Sequence, residues 1–210
     1  MSIKDEYSIK QITYKEAMEM VVKYHYLHRK ASCSYCYGLY ENKTGILIGT
    51  IVYGTPASRA LQKGICGVEE ADNVIEITRV WIEDGTPKNV ESYLIGNTIK
   101  LVPKEIVVSY AENDVGHIGY IYQATNFIYT RLSDKHVMWI IPDMDNAHSR
   151  HLFDQHGGIK KAKEALGDKM VRTERPRKHR YIYFNCNKRR KKELLNKLRY
   201  KAEKYPKINN

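Results

Sequence analysis

The sequence predicts an α/β fold: a mixed central sheet flanked by helices, with a basic helix at the C-terminus. Apolar runs with strand-like alternation recur between segments of helical period, the order that builds a sheet with helices packed on it. Two such runs, residues 34–41 and 46–53, are joined by Asn42-Lys43-Thr44-Gly45, a hairpin signal that makes part of the sheet antiparallel. Later strand–helix–strand units call for parallel pairing as well. The chain has 210 residues, 42% of them hydrophobic, which is enough for a real core in one domain, with residues 186–210 as its basic helical extension.

The elements follow in order. Residues 7–12 alternate as a short strand. Thr13 with Glu16 three residues on forms a capping box, and the helix it opens runs to about Tyr24 with Ala17, Met20, Val21 and Tyr24 on one face. The hairpin follows, with Gly49 marking a bulge or a close approach. A short helix is expected at 55–63, starting at Pro56. Residues 74–82 form a strongly apolar strand interrupted by Glu76, Thr78 and Arg79, and residues 89–102 a helix. A strand at 105–111 and a helix at 116–130 come next, then a strand at 136–141, a polar irregular stretch, a short helix at 159–166 and a late strand at 180–184. The basic helix is expected from 187 to about 205, with Leu194, Leu195 and Leu198 on one side.

Charge and composition narrow the partners. The net charge of +11 attracts polyanions, and nucleic acid leads that class. An acidic protein partner or an inert basic surface stays open at this level. Seventeen tyrosines stand against three phenylalanines, which suits surfaces that stack on bases or hydrogen-bond a ligand, though many of them will pack at rims. No apolar run reaches membrane-spanning length and the first ten residues hold no apolar signal core, so a cytoplasmic protein without a membrane is expected. Cys33, Cys36, Cys66 and Cys186 are then reduced thiols.

The stretch from Ser109 to Phe127 is the most pointed. A strand stops there at Glu112, Asn113, Asp114, Gly116 and His117 before a helix carrying Tyr122, Gln123 and Asn126. Strand carboxyl ends are where open α/β sheets bind ligands. Glu112, Asp114 or His117 suits a general base or a metal ligand, although Asp114 also suits a helix cap. In the central strand, alternation puts Glu76 and Thr78 on one side and Arg79 with Ile77 on the other, unless a bulge intervenes. Glu76 and Arg79 read as an ion pair, or Arg79 as the anchor of a phosphate or carboxylate. Asn89 and Ser92 open the next helix, where backbone amides hold an anion or the residues simply cap. His25, Tyr26, His28, Cys33 and Cys36 have spacing that invites zinc, but two cysteines approaching a strand at an odd offset point to opposite faces. A site using His25 and Tyr26 without the cysteines is favoured. The basic tail gives Arg177, Lys178, Arg180, Lys188, Arg189, Arg190, Lys191 and Lys192, interleaved with Tyr181 and Tyr183, a pattern for phosphate neutralisation or a solvated face.

Three of these segments together, His25-Tyr26, EITRVWIEDGTPKNVESYLIGNTIK and SYAENDVGHIGYIYQATNFIY, resemble the Mom family of phage DNA adenine modification proteins, as does the tail with RYIYF and YPK. The resemblance implies a GNAT-like acyltransferase fold. It implies a transferase that converts adenine in phage DNA to a methylcarbamoyl (acetamido) form and so blocks host restriction. The family's functional positions fall on His25, Tyr26, Arg79, Ser92, Glu112 and Tyr122, with Tyr40 a weaker candidate. Implied with it are ferrous iron on His25 and Glu112, an acyl donor such as acetyl-CoA bound by Arg79, Asn89 and Ser92, double-stranded DNA as partner in the host cytoplasm, and room for a homodimer. The chain departs from the family twice: Glu112 stands where Asp is usual after Ser-Tyr-Ala, and close-spaced glycines are absent between Asp84 and Ser92.

Overall fold

In a computed structural model, residues 2–113, 116–142, 153 and 155–207 are described, and Asp114 lies outside them. The helices are α1 (Ile3–Glu6), α2 (Tyr14–Tyr24), α3 (Arg59–Cys66), α4 (Val90–Thr98), α5 (Tyr120–Ala124), α6 (Ile159–Leu166) and α7 (Lys188–Lys197). The strands are β1 (Tyr7–Gln11), β2 (Tyr35–Glu41), β3 (Leu47–Gly54), β4 (Val74–Ile82), β5 (Ile106–Glu112), β6 (Ile128–Leu132), β7 (His136–Ile140), β8 (Val171–Arg175) and β9 (Lys178–Phe184).

Seven strands form a central sheet in the order β1-β2-β3-β4-β5-β9-β6, and β7 and β8 make a separate ribbon. The mixed sheet flanked by helices is the architecture expected. Every neighbour in the central sheet is antiparallel except β4 and β5. That parallel pair is short: Val74, Ile75 and Glu76 face Ile106, Val107 and Val108, and beyond them the strands part.

Local chemistry explains most of the elements. Thr13 Oγ1 accepts from the Glu16 amide at 3.3 Å and Glu16 returns the favour to the Thr13 amide at 2.8 Å, the capping box that starts α2. Ser58, not Pro56, caps α3, its Oγ accepting from the Leu61 amide at 3.1 Å, so this helix starts later than expected. The helix expected at 116–130 is only α5. Asn126 takes a left-handed φ of 60°, and the chain re-enters the sheet as β6, burying Phe127 completely. The basic helix ends at Lys197. After it, residues 199–207 cross the molecule extended, the Glu203 amide donating to Tyr129 O at 2.9 Å and Tyr205 Oη to Phe127 O at 2.7 Å.

The sheet buries two unlike faces. On one, Tyr37, Ile51, Tyr53, Ile75, Ile77, Val107 and Tyr181 pack with Leu94 and Ile95 of α4 and Tyr122 of α5 as the main core. On the other face there are two smaller clusters. Ala17, Met18 and Val21 of α2 cover Cys36 and Val52, while Ile65 of α3 and Leu194 of α7 cover Val74, Ile106, Val108, Ile182 and Phe184. Between these two clusters the strands carry polar side chains instead: Glu76 and Arg79 on β4, Glu112 on β5, Lys178 and Arg180 on β9. That interruption is the floor of the site.

Candidate active site

A groove of about 1180 Å³ runs along this polar strip and through the opening where β4 and β5 part. His25 and Tyr26 at the end of α2, Glu76 and Arg79, Glu112, residues 116–122, and Lys178 and Arg180 all line it. Chain segments far apart in sequence are therefore brought to one place, at the carboxyl ends of the two parallel strands.

Thr78 explains two sides of the groove. Val52 pairs with Arg79 and Tyr53 with Ile77, so Thr78 is the unpaired residue of a β-bulge. The bulge reverses the alternation after it, so Val80 and Ile82 return to the main core while Arg79 lies on the Glu76 side of the sheet. Simple alternation gave the opposite side. Thr78 Oγ1 also donates to Ser32 O at 3.0 Å. Ser32 lies so close to β3 that a Cβ on Gly54 would sit 2.1 Å from its carbonyl oxygen. The bulge thus fixes both Arg79 and the loop that follows His25 and Tyr26.

His25 is buried and stacked on Tyr26, ring centroids 4.4 Å apart. Its Nδ1 accepts from the Leu27 amide at 3.1 Å, which places the proton of the neutral ring on Nε2. Burial, then the Arg79 charge, push its pKa down to about 4, so the ring is neutral near pH 7. Tyr26 is half exposed and meets His117 edge-on. Arg79 Nη1 donates to Thr78 O at 2.6 Å, while its Nε is buried with no acceptor among the described residues. A guanidinium with one buried N–H to spare is suited to hold an oxyanion or carbonyl.

Two carboxyls face the strip, and they differ. Glu112 is clamped by an ion pair to the Lys178 ammonium. Its neighbour Asn113 is held by His179 Nε2 at 3.0 Å, and His179 Nδ1 is in turn bonded to Tyr129 Oη at 2.9 Å. Glu76 accepts from the Ala57 backbone N–H and has no ion pair among the described residues. Burial raises its pKa to about 7 against the opposing pull of Lys178 and Arg79. From the sequence, Glu76 reads as half of an ion pair with Arg79, or Arg79 as a substrate anchor; no Glu76–Arg79 ion pair forms among the described residues. The solitude of Glu76 became visible only with the bulge and the helix-free strip in place.

Tyr122 sits on the other face of the sheet, packed between Phe127 and Tyr181 in the main core, and reaches the groove through the parted strands. Burial pushes its phenol up to about 12, with Ser109 as hydrogen-bond partner opposing. Asn89 and Ser92 are not among the groove-lining residues, although Glu91 is. Ser92 Oγ donates to Asn89 O at 2.9 Å within the first turn of α4. Tyr40 is away from the groove, its ring under the Lys10 ammonium.

The eight basic residues of the tail divide. Arg177 Nε donates to Ser133 O at 2.6 Å, stapling the root of the β7–β8 ribbon. Lys178 holds Glu112. Arg180 is buried, bonded to Thr130, with its guanidinium 3.4 Å from the centre of the Tyr200 ring. Arg190 bridges Glu70 at 2.5 Å and Glu105 at 2.9 Å. Lys188, Arg189 and Lys192 are exposed, and Lys191 is half-buried.

The described residues do not make an iron or zinc site. Among the described residues no group of three or more His, Cys, Asp or Glu side chains could hold a metal. Of the two ligands implied, Glu112 is engaged by a lysine. The Cys36 thiol donates to Ile12 O at 3.1 Å, and burial pushes its pKa up to about 12, which disfavours the thiolate a metal needs.

Together these features define a class: a mixed α/β protein with a polar, cation-rich groove where its parallel strand pair opens. The family model of the Mom protein family matches residues 6–207, and the chain belongs to that family. The methylcarbamoylase mom of Escherichia phage Mu is 28% identical over 196 residues, covering 87% of this chain and 76% of the phage protein. Among solved structures, the spermidine/spermine N-acetyltransferase of Vibrio cholerae is similar at a TM-score of 0.48 with 6% identity, over 88% of this chain and 95% of that one. An N-acetyltransferase of Staphylococcus aureus is similar at 0.46 with 9% identity, over 86% and 99%.

Proposed function

We propose that this chain transfers a methylcarbamoyl group to the exocyclic amine of adenine in DNA, and that the modified DNA resists restriction. The observation that carries the reading is the convergence of His25, Tyr26, Arg79 and Glu112 in one groove, in a chain of the Mom family. The amine is a poor nucleophile because its lone pair is delocalised into the ring. As its nitrogen bonds to the donor's carbon, that carbon's bond to the thioester sulfur breaks, and the coenzyme A thiol leaves with the proton the amine gives up. The site must therefore orient the base, polarise the donor and exclude water.

Arg79 anchors the donor through its unpartnered Nε–H. His25, neutral and stacked on Tyr26, offers Nε2–H as a hydrogen-bond donor to the transferred group. Glu112, paired with Lys178, faces the reacting amine across the groove. Tyr122 closes the groove from the core side. A coenzyme A thioester is the donor of this reading, entering beside Glu91 at the α4 end of the groove. Double-stranded DNA is the substrate, with the target base out of its stack. The setting is the host cytoplasm; among the described residues no helix is long and apolar enough to cross a membrane.

Nucleosides from plasmid DNA co-expressed with the protein test this reading by mass spectrometry. A methylcarbamoyl-adenine nucleoside is expected with the wild type and absent with Arg79→Ala. Unmodified deoxyadenosine alone, with folded protein present, overturns it. Turnover of a free amine with a thioester in the absence of DNA would point instead to a small-molecule or protein acetyltransferase.

A further inference from the structure

Glu76 is a groove carboxyl that takes no part in the transfer as proposed. It is the last β4 residue paired to β5, opposite Val108, so it stands where the strands begin to part. The Ala57 amide donates to it and Tyr110 of β5 faces it, and Leu61 of α3 and Tyr200 beyond α7 line the same groove. Arg180 lies flat against Tyr200 at 3.4 Å, which fixes that ring as a rigid wall. Apolar and aromatic side chains thus line the groove together with the Glu76 carboxyl.

A neutral carboxyl presents a carbonyl acceptor beside a hydroxyl donor. The Watson–Crick edge of adenine presents the N6 amine donor beside the N1 acceptor, the complement of that pair. Guanine and thymine present an acceptor beside a donor, which the acid meets only with its hydroxyl and carbonyl exchanged, so Glu76 supplies affinity for a base edge and the N6 amine contact is what the purine comparison reads. Cytosine matches in pattern but is a smaller ring. An ionised carboxylate would set two acceptors against N1 and lose the fit. We propose that Glu76 receives the Watson–Crick edge of the target adenine, its carbonyl oxygen accepting from N6 and its protonated oxygen donating to N1. The base stacks within the walls formed by Ala57, Leu61, Tyr110 and Tyr200. The inference rests on adenine being the substrate.

The groups that face Glu76 are Arg79 on its own strand, Lys178 on β9, Arg175 on β8, Tyr110 on β5, Tyr122 on α5, and the Ala57 amide. The three cations favour the carboxylate and burial opposes them, so protonation of Glu76 near neutral pH follows from its enclosure.

The test is binding of 9-methyladenine, measured by calorimetry between pH 5.5 and 8.5 (about that range brackets the titration). Wild type is expected to bind, with affinity falling toward tenfold per pH unit above about 7. Purine, which lacks the amine, binds more weakly. Glu76→Gln keeps the affinity but loses the pH dependence, because an amide offers the same acceptor–donor pair. Glu76→Ala loses about tenfold or more. If Glu76→Ala does not fold, the wild-type and Glu76→Gln pH profiles decide alone. Equal affinity in Glu76→Ala, or wild-type affinity that ignores pH, overturns the subsite. Modified adenine in DNA alongside either of those results leaves the transferase reading standing and removes only the subsite. Glu76-dependent, pH-linked binding with no modified adenine overturns the transferase reading and keeps the subsite.

Discussion

Thr78 shows how much one residue decides. Without its bulge, Arg79 would point into the main core beside Ile77 and the groove would lose its central cation. A planar guanidinium with a buried, unpartnered Nε–H is not replaced by an ammonium. Arg79→Lys is therefore expected to lower the rate of adenine modification by about 100-fold or more, a loss in the range of one strong transition-state hydrogen bond, with the melting temperature little changed. Paired rate and melting measurements check it. Glu76 and His25 make a second expectation at this scale. Glu76 has a folded pKa raised to about 7, so it binds more protons folded than unfolded, and its contribution falls as pH rises from the ordinary carboxyl range to 7. His25 is depressed to about 4, so its contribution is present above 6.5 and is lost as pH falls toward 4. The two slopes oppose each other between about pH 4.5 and 6.5. Urea melts across that window are expected to be nearly flat for these groups in the wild type and to rise with pH in Glu76→Gln, where only the His25 slope remains. Sequence reading could name His25, Arg79 and Glu112 from residue type and resemblance. It could not see which carboxyl stays alone, because that depends on a bulge set by β3 register and on Lys178 arriving from β9.

Elements carry the placement of those residues. The capping box of α2 was legible from Thr13 and Glu16 alone, because its partners are three residues apart. Thr13→Ala is expected to cost about 1 kcal/mol in urea-induced unfolding, the usual worth of such a cap. Because α2 ends at His25 and Tyr26, the same change is expected to loosen the groove mouth, read as faster amide exchange at Leu27. The strand β4 was equally legible from its apolar run, whose bounds agree with those expected. The stretch after Gly119 was not. A helix is expected over 116–130, yet a Cβ on Gly119 would meet the Tyr181 ring at 2.5 Å, and Phe127 is fully buried in the main core just before β6. Strand β8 escaped for a related reason. Val171–Arg175 is too polar to read as a strand and pairs only with β7, outside the central sheet. Tertiary partners, absent from any local window, decide both cases.

At the scale of the whole molecule, the net charge of +11 states attraction to a polyanion without saying where it acts. The structure separates cations spent inside the protein from those left facing water. Glu70, nearly buried, takes both Arg190 and Lys197, and Arg190 also holds Glu105, which ties α7 to the chain before β4 and β5. Removing that arginine leaves two carboxylates short of a partner. Arg190→Met is expected to lower stability by about 1–2 kcal/mol, with the solvent-exposed part of the network screened, and to leave DNA affinity nearly unchanged. Lys188 and Lys192 of the same helix are exposed. If they meet phosphates, Lys188→Glu with Lys192→Glu removes two counterion-releasing contacts, and the slope of log affinity against log salt becomes shallower by about 1.8. Stability should hardly move. Fluorescence anisotropy of a labelled duplex over a salt series, run beside urea melts of both variants, separates the two roles. The expected pattern is a crossed one, Arg190→Met moving only the melt and the double variant moving only the salt slope. An Arg190→Met protein that melts like the wild type but binds DNA with the reduced slope would instead place that arginine on the phosphate backbone and make its ion pairs dispensable.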